Sequence, residues 1–406
     1  MNEQPWSEAS LTEICNVNSG TQNQLGVKAV RDKVLPWFAG LADVCDSVSM
    51  PDVEFLDASG NVTHLQIADA LVFSRRKGSP LQVLLGIHLD TVYGLESSFQ
   101  TVTRPAENVL RGPGVADAKG GLLVMLAALT AFERRVAEGD EIASRVGWTV
   151  FLNPDEETGS LSSAGLLSRL AAGADFALVY EPTLPEGTLI RARKGSGNFS
   201  VVVRGRAAHA GRDIGSGRNA ISALCRLFGE LEKLQQDDGS VTVNVGRISG
   251  GGPVNVVPDL AIGSWNVRVI DKARTVWVEQ QIRRCVEIAN AADGISVELH
   301  GGMTSPPKLF DEPTAQLLRR VEEVGQRIGL EIRAAESGGV CDGNKLAAAG
   351  CPTIDTMGPR GGHIHSDQEY VLIDSMEERS KLTEELLLEF SRHPDRFPSR
   401  TSRGGS

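Results

Sequence analysis

The chain has 406 residues, 41% of them hydrophobic, which is enough for sizeable cores and more than one typical domain requires, so two domains are expected. Its 41 basic and 52 acidic residues leave a net charge of -11, which disfavours general binding to nucleic acid or to an anionic membrane surface. The amino-terminal stretch has neither a basic n-region nor an apolar h-region, and no apolar run is long enough to span a bilayer, so a soluble, cytoplasmic protein is expected.

Six cysteines, Cys15, Cys45, Cys225, Cys285, Cys341 and Cys351, lack CxxC spacing and read as reduced thiols. Residues 27–42 form an amphipathic helical pattern interrupted near Pro36, and strands are expected at 53–56, 70–74 and 82–87. The run LQVLLGIHLDTV, residues 81–92, is apolar until His88 and Asp90, as in a buried parallel strand that delivers polar groups at its carboxyl end. The two side chains fall on one side of the strand, a spacing that suits a metal ligand with a carboxylate for its second ring nitrogen. A structural histidine fits the same pattern.

After RGPGVADAKGG comes an apolar run, 122–132, expected to be a buried helix, which sets Asp117 at or just before its amino terminus as a cap or a ligand. A strand over 145–152 ends in Asp155, Glu156 and Glu157 before a helix near 161–170, and a short strand at 176–180 ends at Glu181. Acids that recur at strand ends in a strand-helix alternation point to a parallel sheet. From about Lys194 the order becomes β-α-β-β-α-β: strands at 198–203, 241–248, 261–270 and 296–300 with helices at 218–234 and 276–291, a ferredoxin-like block inserted into the first domain. Helix then returns at 314–328, a strand at 353–357 leads to a Gly-rich loop with His363 and His365, and the tail from His393 is expected to be disordered. The expected organisation is a discontinuous α/β catalytic domain, residues 1–193 and 307–406, with an inserted lid, 194–306.

His88, Asp117, Glu156, Glu157, Glu181 and His365, pooled from separate strand ends, suit a pair of Zn2+ ions with one bridging carboxylate. Adjacent glutamates can divide the labour, one holding metal and the other moving a proton. No GxSxG, P-loop or HExxH competes.

The ordered motifs His88-Leu89-Asp90-Thr91, Gly114 to Gly121, Asp155 to Ser160, Glu181-Pro182-Thr183, Ala208-His209-Ala210-Gly211 and His365-Ser366-Asp367 resemble the M20 metallopeptidase family. The likeness is strongest to its carboxypeptidase G2 (glutamate carboxypeptidase) branch, and the acetylornithine and succinyl-diaminopimelate deacylases share much of the pattern. The resemblance implies a zinc-dependent exopeptidase-type domain with a lid that dimerises. It implies His88, Asp117 and Glu181 around one zinc, with Asp117 bridging to a second held by Glu157 and His365, the histidine that directly precedes Ser-Asp. Glu156 becomes the general base and Asp90 the residue that orients His88. In the lid the resemblance makes His209 a contact for the substrate carbonyl, often across the dimer, and Asn255 and Arg268 binders of a free carboxylate; Gly339 is a further candidate contact. Without the resemblance, Arg268 is only the polar residue of an alternating strand. The loop carrying Cys341-Asp342-Gly343-Asn344 departs from the Thr-Asp-Ala of that branch, so its specificity does not transfer. The implied reaction is amide hydrolysis on a small molecule, by a peptidase or by an N-acyl-amino-acid deacylase. A non-catalytic metal-dependent binding protein is the alternative that an intact Glu156 argues against.

Overall fold

The computed structural model describes residues 7–400. In chain order its principal elements are α1 (Glu8–Cys15), α2 (Gln24–Ala39), β1 (Val44–Val48), β2 (Ala70–Arg75), β3 (Leu81–His88), α3 (Lys119–Ala137), β4 (Val146–Asn153), α4 (Ala164–Ala172), β5 (Phe176–Val179), β6 (Gly195–Arg204), α5 (Ala220–Glu232), β7 (Val241–Gly250), β8 (Leu260–Val269), α6 (Lys272–Asn290), β9 (Ser296–Ser305), α7 (Glu312–Arg327), α8 (Asp342–Ala348), β10 (Thr353–Ile354) and α9 (Asp374–Arg392).

The first sheet runs β1-β2-β4-β3-β5-β10. Its strands from β4 to β10 are parallel, whereas β2 pairs antiparallel with both β1 and β4, so five of the six strands run in one direction and β2 runs against them. The reason is local: residues 76–80 join β2 to β3, and a link that short can reverse a chain but cannot make the crossover that a parallel pair needs. Strand β3 is apolar on both faces because both faces are covered, and α3, whose residues 122–129 are all buried, belongs to the same core as α2 and α9. Gly121 permits that closeness, since a Cβ there would lie 1.9 Å from the Tyr180 carbonyl oxygen.

Register then decides where polar residues go. His88 pairs with Asn153, and Gly86 with Val179, so the residues after β3, β4 and β5 emerge together at one carboxyl edge.

The second sheet is antiparallel, in the order β7-β8-β6-β9, the ferredoxin-like arrangement. On β6 the alternate residues Phe199, Val201 and Val203 share a separate core with α5 and α6, and the Phe199 and Trp265 rings stack at 5.5 Å. Asn219 caps α5 and Asp271 caps α6 through their side-chain oxygens.

The expected disordered tail is ordered as far as it is described: Phe397 stacks on Phe176 at 5.5 Å, and the Arg400 guanidinium lies 2.9 Å from Asp175. One aromatic and one arginine find buried partners there, which composition does not reveal; residues 401–406 lie outside the described residues. Among the described residues no helix is long and apolar enough to cross a membrane, and Cys15, Cys45, Cys225, Cys285 and Cys341 are free thiols.

Asp355, just past β10, is fully buried and accepts from Lys308 Nζ at 2.8 Å and Arg193 Nε at 2.9 Å. Burial pushes its carboxyl up, but the two cations overcome this and hold it below its ordinary value. Its contribution is therefore present above about pH 4 and is lost as pH falls through the depressed folded value. Asp355→Ala leaves two buried cations without their carboxylate and is expected to cost about 3–5 kcal/mol, read as a lower midpoint in denaturant unfolding. An unchanged midpoint would show that the cations find other partners.

Candidate metal centre and active-site pocket

At the carboxyl edge, His88 is buried and its Nδ1 lies 2.9 Å from the Asp90 main-chain carbonyl. A carbonyl only accepts, so Nδ1 donates to it and Nε2 faces outward. That nitrogen sits 3.1 Å from Asp117 Oδ1 and 3.8 Å from Glu181 Oε1. The other Asp117 oxygen, Oδ2, is 3.2 Å from His365 Nε2, which is itself 3.3 Å from Glu157 Oε2. Asp117 thus stands between two imidazoles, one oxygen toward each. It does not cap α3: Ala118 occupies the cap position and makes no side-chain cap bond. His363, two residues from His365, instead packs beside the Tyr370 ring at 5.7 Å.

The residues present fit divalent ions. Ligand atoms of His88, Asp117 and Glu157 lie within 4.8 Å of one another. Glu157 Oε1 and Glu181 Oε1 are buried without a hydrogen-bond partner, a costly state for a carboxylate unless a cation satisfies it. Titration reports the same crowding. Burial, reinforced by Asp117, pushes Glu157 up to about 7, and burial also brings Glu181 to about 7 against the pull of His88. Glu156 rises well above its usual range through burial and the Glu181 charge. Burial acts to lower His88, yet the nearby carboxylates of Asp117, Asp90 and Glu181 hold it well above the ordinary imidazole value, and those of Asp117 and Glu157 raise His365 to about 10. Asp117 is held below its ordinary value by the two imidazoles, against its burial. Protons here do the work of a cation: they neutralise a buried cluster of acids.

The Asp90 carboxylate does more than face His88, from which it lies 3.4 Å. It accepts from the Glu156 and Glu157 amides at 3.0 and 3.1 Å and from the Thr21 hydroxyl at 2.6 Å, which fixes the turn that carries both glutamates. Asp342 secures the same loop, accepting from Asn153 at 2.7 Å and from the Ser160 hydroxyl.

Sequence reasoning missed Glu369. It is fully buried, and its carboxylate accepts from the amides of Gly114, Ala116 and Asp117 at 3.2, 2.9 and 3.0 Å and from the Tyr93 hydroxyl at 2.7 Å. One acid therefore joins the segment of Asp117 to that of His365. Its position four residues after His365, in an otherwise polar turn, was the only available signal.

Asp117, Glu156, Glu157, Glu181 and His365 line a pocket of about 420 Å³ together with Arg193, Arg268 and Gly339. Arg193 was also missed; it is placed there by its bond to Asp355. The structure does not bring His209 and Asn255 to this pocket. They lie beside each other in the second sheet's loops, where Ala210 N donates to the Asn255 carbonyl at 2.9 Å. Asn255 precedes the start of β8, whereas Arg268 is eight residues along it, about 26 Å at ~3.3 Å per residue, so the two do not meet within one chain.

A sheet edge that gathers imidazoles and carboxylates below a ferredoxin-like second sheet defines a metal-dependent hydrolase. The chain belongs to peptidase family M20/M25/M40, whose model matches residues 84–389. It is 26% identical over 401 residues to carboxypeptidase G2 of Pseudomonas sp. (strain RS-16), covering 95% of this chain and 90% of that one. It is 28% identical over 349 residues to succinyl-diaminopimelate desuccinylase of Hahella chejuensis, with coverage of 81% and 87%. Among solved structures, the M20 family metallo-carboxypeptidase Sso-CP2 from Sulfolobus solfataricus has a similar fold, with a TM-score of 0.74 over 95% of this chain and 100% of that one at 15% identity.

Glu369→Gln places an amide donor among four donors. The variant is expected to bind divalent ions about 10- to 100-fold more weakly in chelator competition. Affinity equal to that of the parent would show that the Asp117 segment holds its shape without this carboxylate.

Proposed function

We propose that the protein hydrolyses an amide bond next to a free carboxylate, in short peptides or N-acyl amino acids, using two Zn2+ ions, and that it acts in the cytoplasm as a dimer formed through a lid spanning residues 194–306. The observation that carries this reading is Asp117, whose two oxygens address two different imidazoles while buried oxygens of Glu157 and Glu181 have no other partner. His88, Asp117 and Glu181 would hold one ion, and Asp117, Glu157 and His365 the other. Bound ions would polarise the scissile carbonyl and lower the pKa of water. Glu156 removes the proton from the attacking water and later gives it to the leaving amine; its raised affinity for protons suits both halves. Asp90 positions Glu156 by holding its amide. Arg268 grips the substrate carboxylate from the pocket wall, a bidentate task for a guanidinium. His209 and Asn255, outside this chain's own pocket, would serve that of a second copy, His209 at the carbonyl oxygen as charge develops. Carboxypeptidase G2 and the desuccinylase among the relatives support both a peptidase and a deacylase reading.

Metal analysis of protein saturated with zinc should give about two ions per chain, and a chelator should abolish turnover. A single ion at saturation, or Asp117→Ala with both ions retained, would refute the bridge. Glu156→Gln should keep its metal and lose about 10² to 10⁴ in turnover, while Glu157→Gln should lose metal; the opposite pattern would exchange the two roles. Amidating the substrate carboxylate and making Arg268→Ala should each be costly yet not additive, since both remove one contact. Full additivity would detach Arg268 from the carboxylate.

A further inference from the structure

A second cavity adjoins the catalytic pocket. Thr158, Asn198 and Thr304 line both the pocket and an adjoining cavity of about 540 Å³. Its walls are a hairpin formed by Val53–Leu56 and Val62–Leu65, the segment after Gly159, and β9. The hairpin is wedged against the second sheet at Gly60, where an added Cβ would lie 2.8 Å from Val202. Phe55, Val62, Leu161 and Met303 give the cavity its apolar surface, and the first three are 47%, 43% and 45% exposed. Three large apolar side chains open to solvent beside a catalytic pocket form a binding surface and not a core.

Strand β6 connects the two chambers. Its core-facing residues are Phe199, Val201 and Val203, so Ser196, Asn198 and Ser200 share the opposite face. Across that face Ser196 pairs with Arg268, Asn198 with Asn266, and Ser200 with His300. Arg268 lines the catalytic pocket and His300 lines the second cavity, with Asn198 common to both. From Ser196 to Ser200 is about 13 Å at ~3.3 Å per residue. Hydroxyl and amide groups along this path can bond a substrate amide, and the apolar walls at its far end can bond nothing polar.

We propose that the second cavity binds the acyl end of the substrate, and that the preferred substrates are N-acyl amino acids with a bulky, apolar acyl group that reaches from a carboxylate at Arg268 to Phe55 and Met303. This rests on the hydrolase reading above and names its substrate class. A short acyl group leaves the chamber to solvent and forgoes the apolar burial that it provides.

The test compares N-acetyl and N-octanoyl derivatives across one panel of amino acids, with metal-loaded protein and its Phe55→Ala and Val62→Ala variants. The octanoyl series should have kcat/KM at least tenfold higher, and Phe55→Ala should remove about tenfold of that through KM while leaving the acetyl series unchanged. Val62→Ala, on the facing strand of the hairpin, should act in the same direction. Equal rates for both series, or equal losses in both on Phe55→Ala, would overturn the proposal. Calorimetry with Glu156→Gln separates the chamber from the chemistry. If wild type turns over neither series while octanoyl compounds still bind at least tenfold more tightly than acetyl ones, the hydrolytic reading falls and the chamber stands. Equal binding of the two would remove the chamber.

Discussion

Carboxylates that are crowded out of water repel one another, and the rest of the structure answers to that constraint. Asp90, Asp117, Glu156, Glu157 and Glu181 meet at one buried sheet edge beside a single fully buried imidazole and a second that is half exposed. Left to themselves they would keep protons, as the raised Glu156, Glu157 and Glu181 do. They can be held close only by backbone that cannot retreat. Asp90 is pinned by three donors and Glu369 by four, so each acid that is not aimed at the pocket serves as an anchor for one that is. This division explains why removing an anchor should be felt as lost metal affinity although the anchor never touches the metal.

How much of this was legible beforehand depended on the range of the interaction. His88 and Asp90 could be found because an apolar strand ends abruptly at them, and the parallel register of β3, β4 and β5 then brings Glu156 and Glu181 to the same edge. The ferredoxin-like block was legible because period-2 and period-3.6 patterns alternate in order within it. Glu369, Arg193 and the Lys308–Asp355 pair left no such trace. Each is one polar residue whose partners lie 47 to 276 positions away, and no local period encodes a contact of that kind. The antiparallel β2 was hidden for another reason: strand direction follows from the five-residue link after it, not from the composition of the strand.

Asn255 and Arg268 took their roles from a resemblance, and one chain's geometry does not bring the two together. Arg268 lies near the carboxyl end of β8, whereas Asn255 lies in the loop that precedes that strand. If both serve one substrate, they come from two copies of the chain, and the dimer is then part of the active site and not only a packing arrangement. His209 falls on the same side of this division as Asn255, bridged to the residue that follows it, so the two would travel together into a partner's pocket.

Strand β6 shows how specificity and stability share one piece of chain. Its odd-numbered residues from Phe199 to Val203 build the core with α5 and α6, and its even-numbered residues from Ser196 to Ser200 face the cleft. A one-residue slip of register would exchange the two sets, placing serines in the core and aromatic and aliphatic groups on the cleft face. The strand cannot be retuned for a different substrate by shifting it; it can change only residue by residue on the open face. Phe55 and Val62 of the hairpin opposite are not bound by that register, because they are nearly half exposed and belong to neither core. Variation in acyl preference should therefore be concentrated on the hairpin side of the cleft, while the β6 side keeps the distance from carboxylate to acyl chamber fixed.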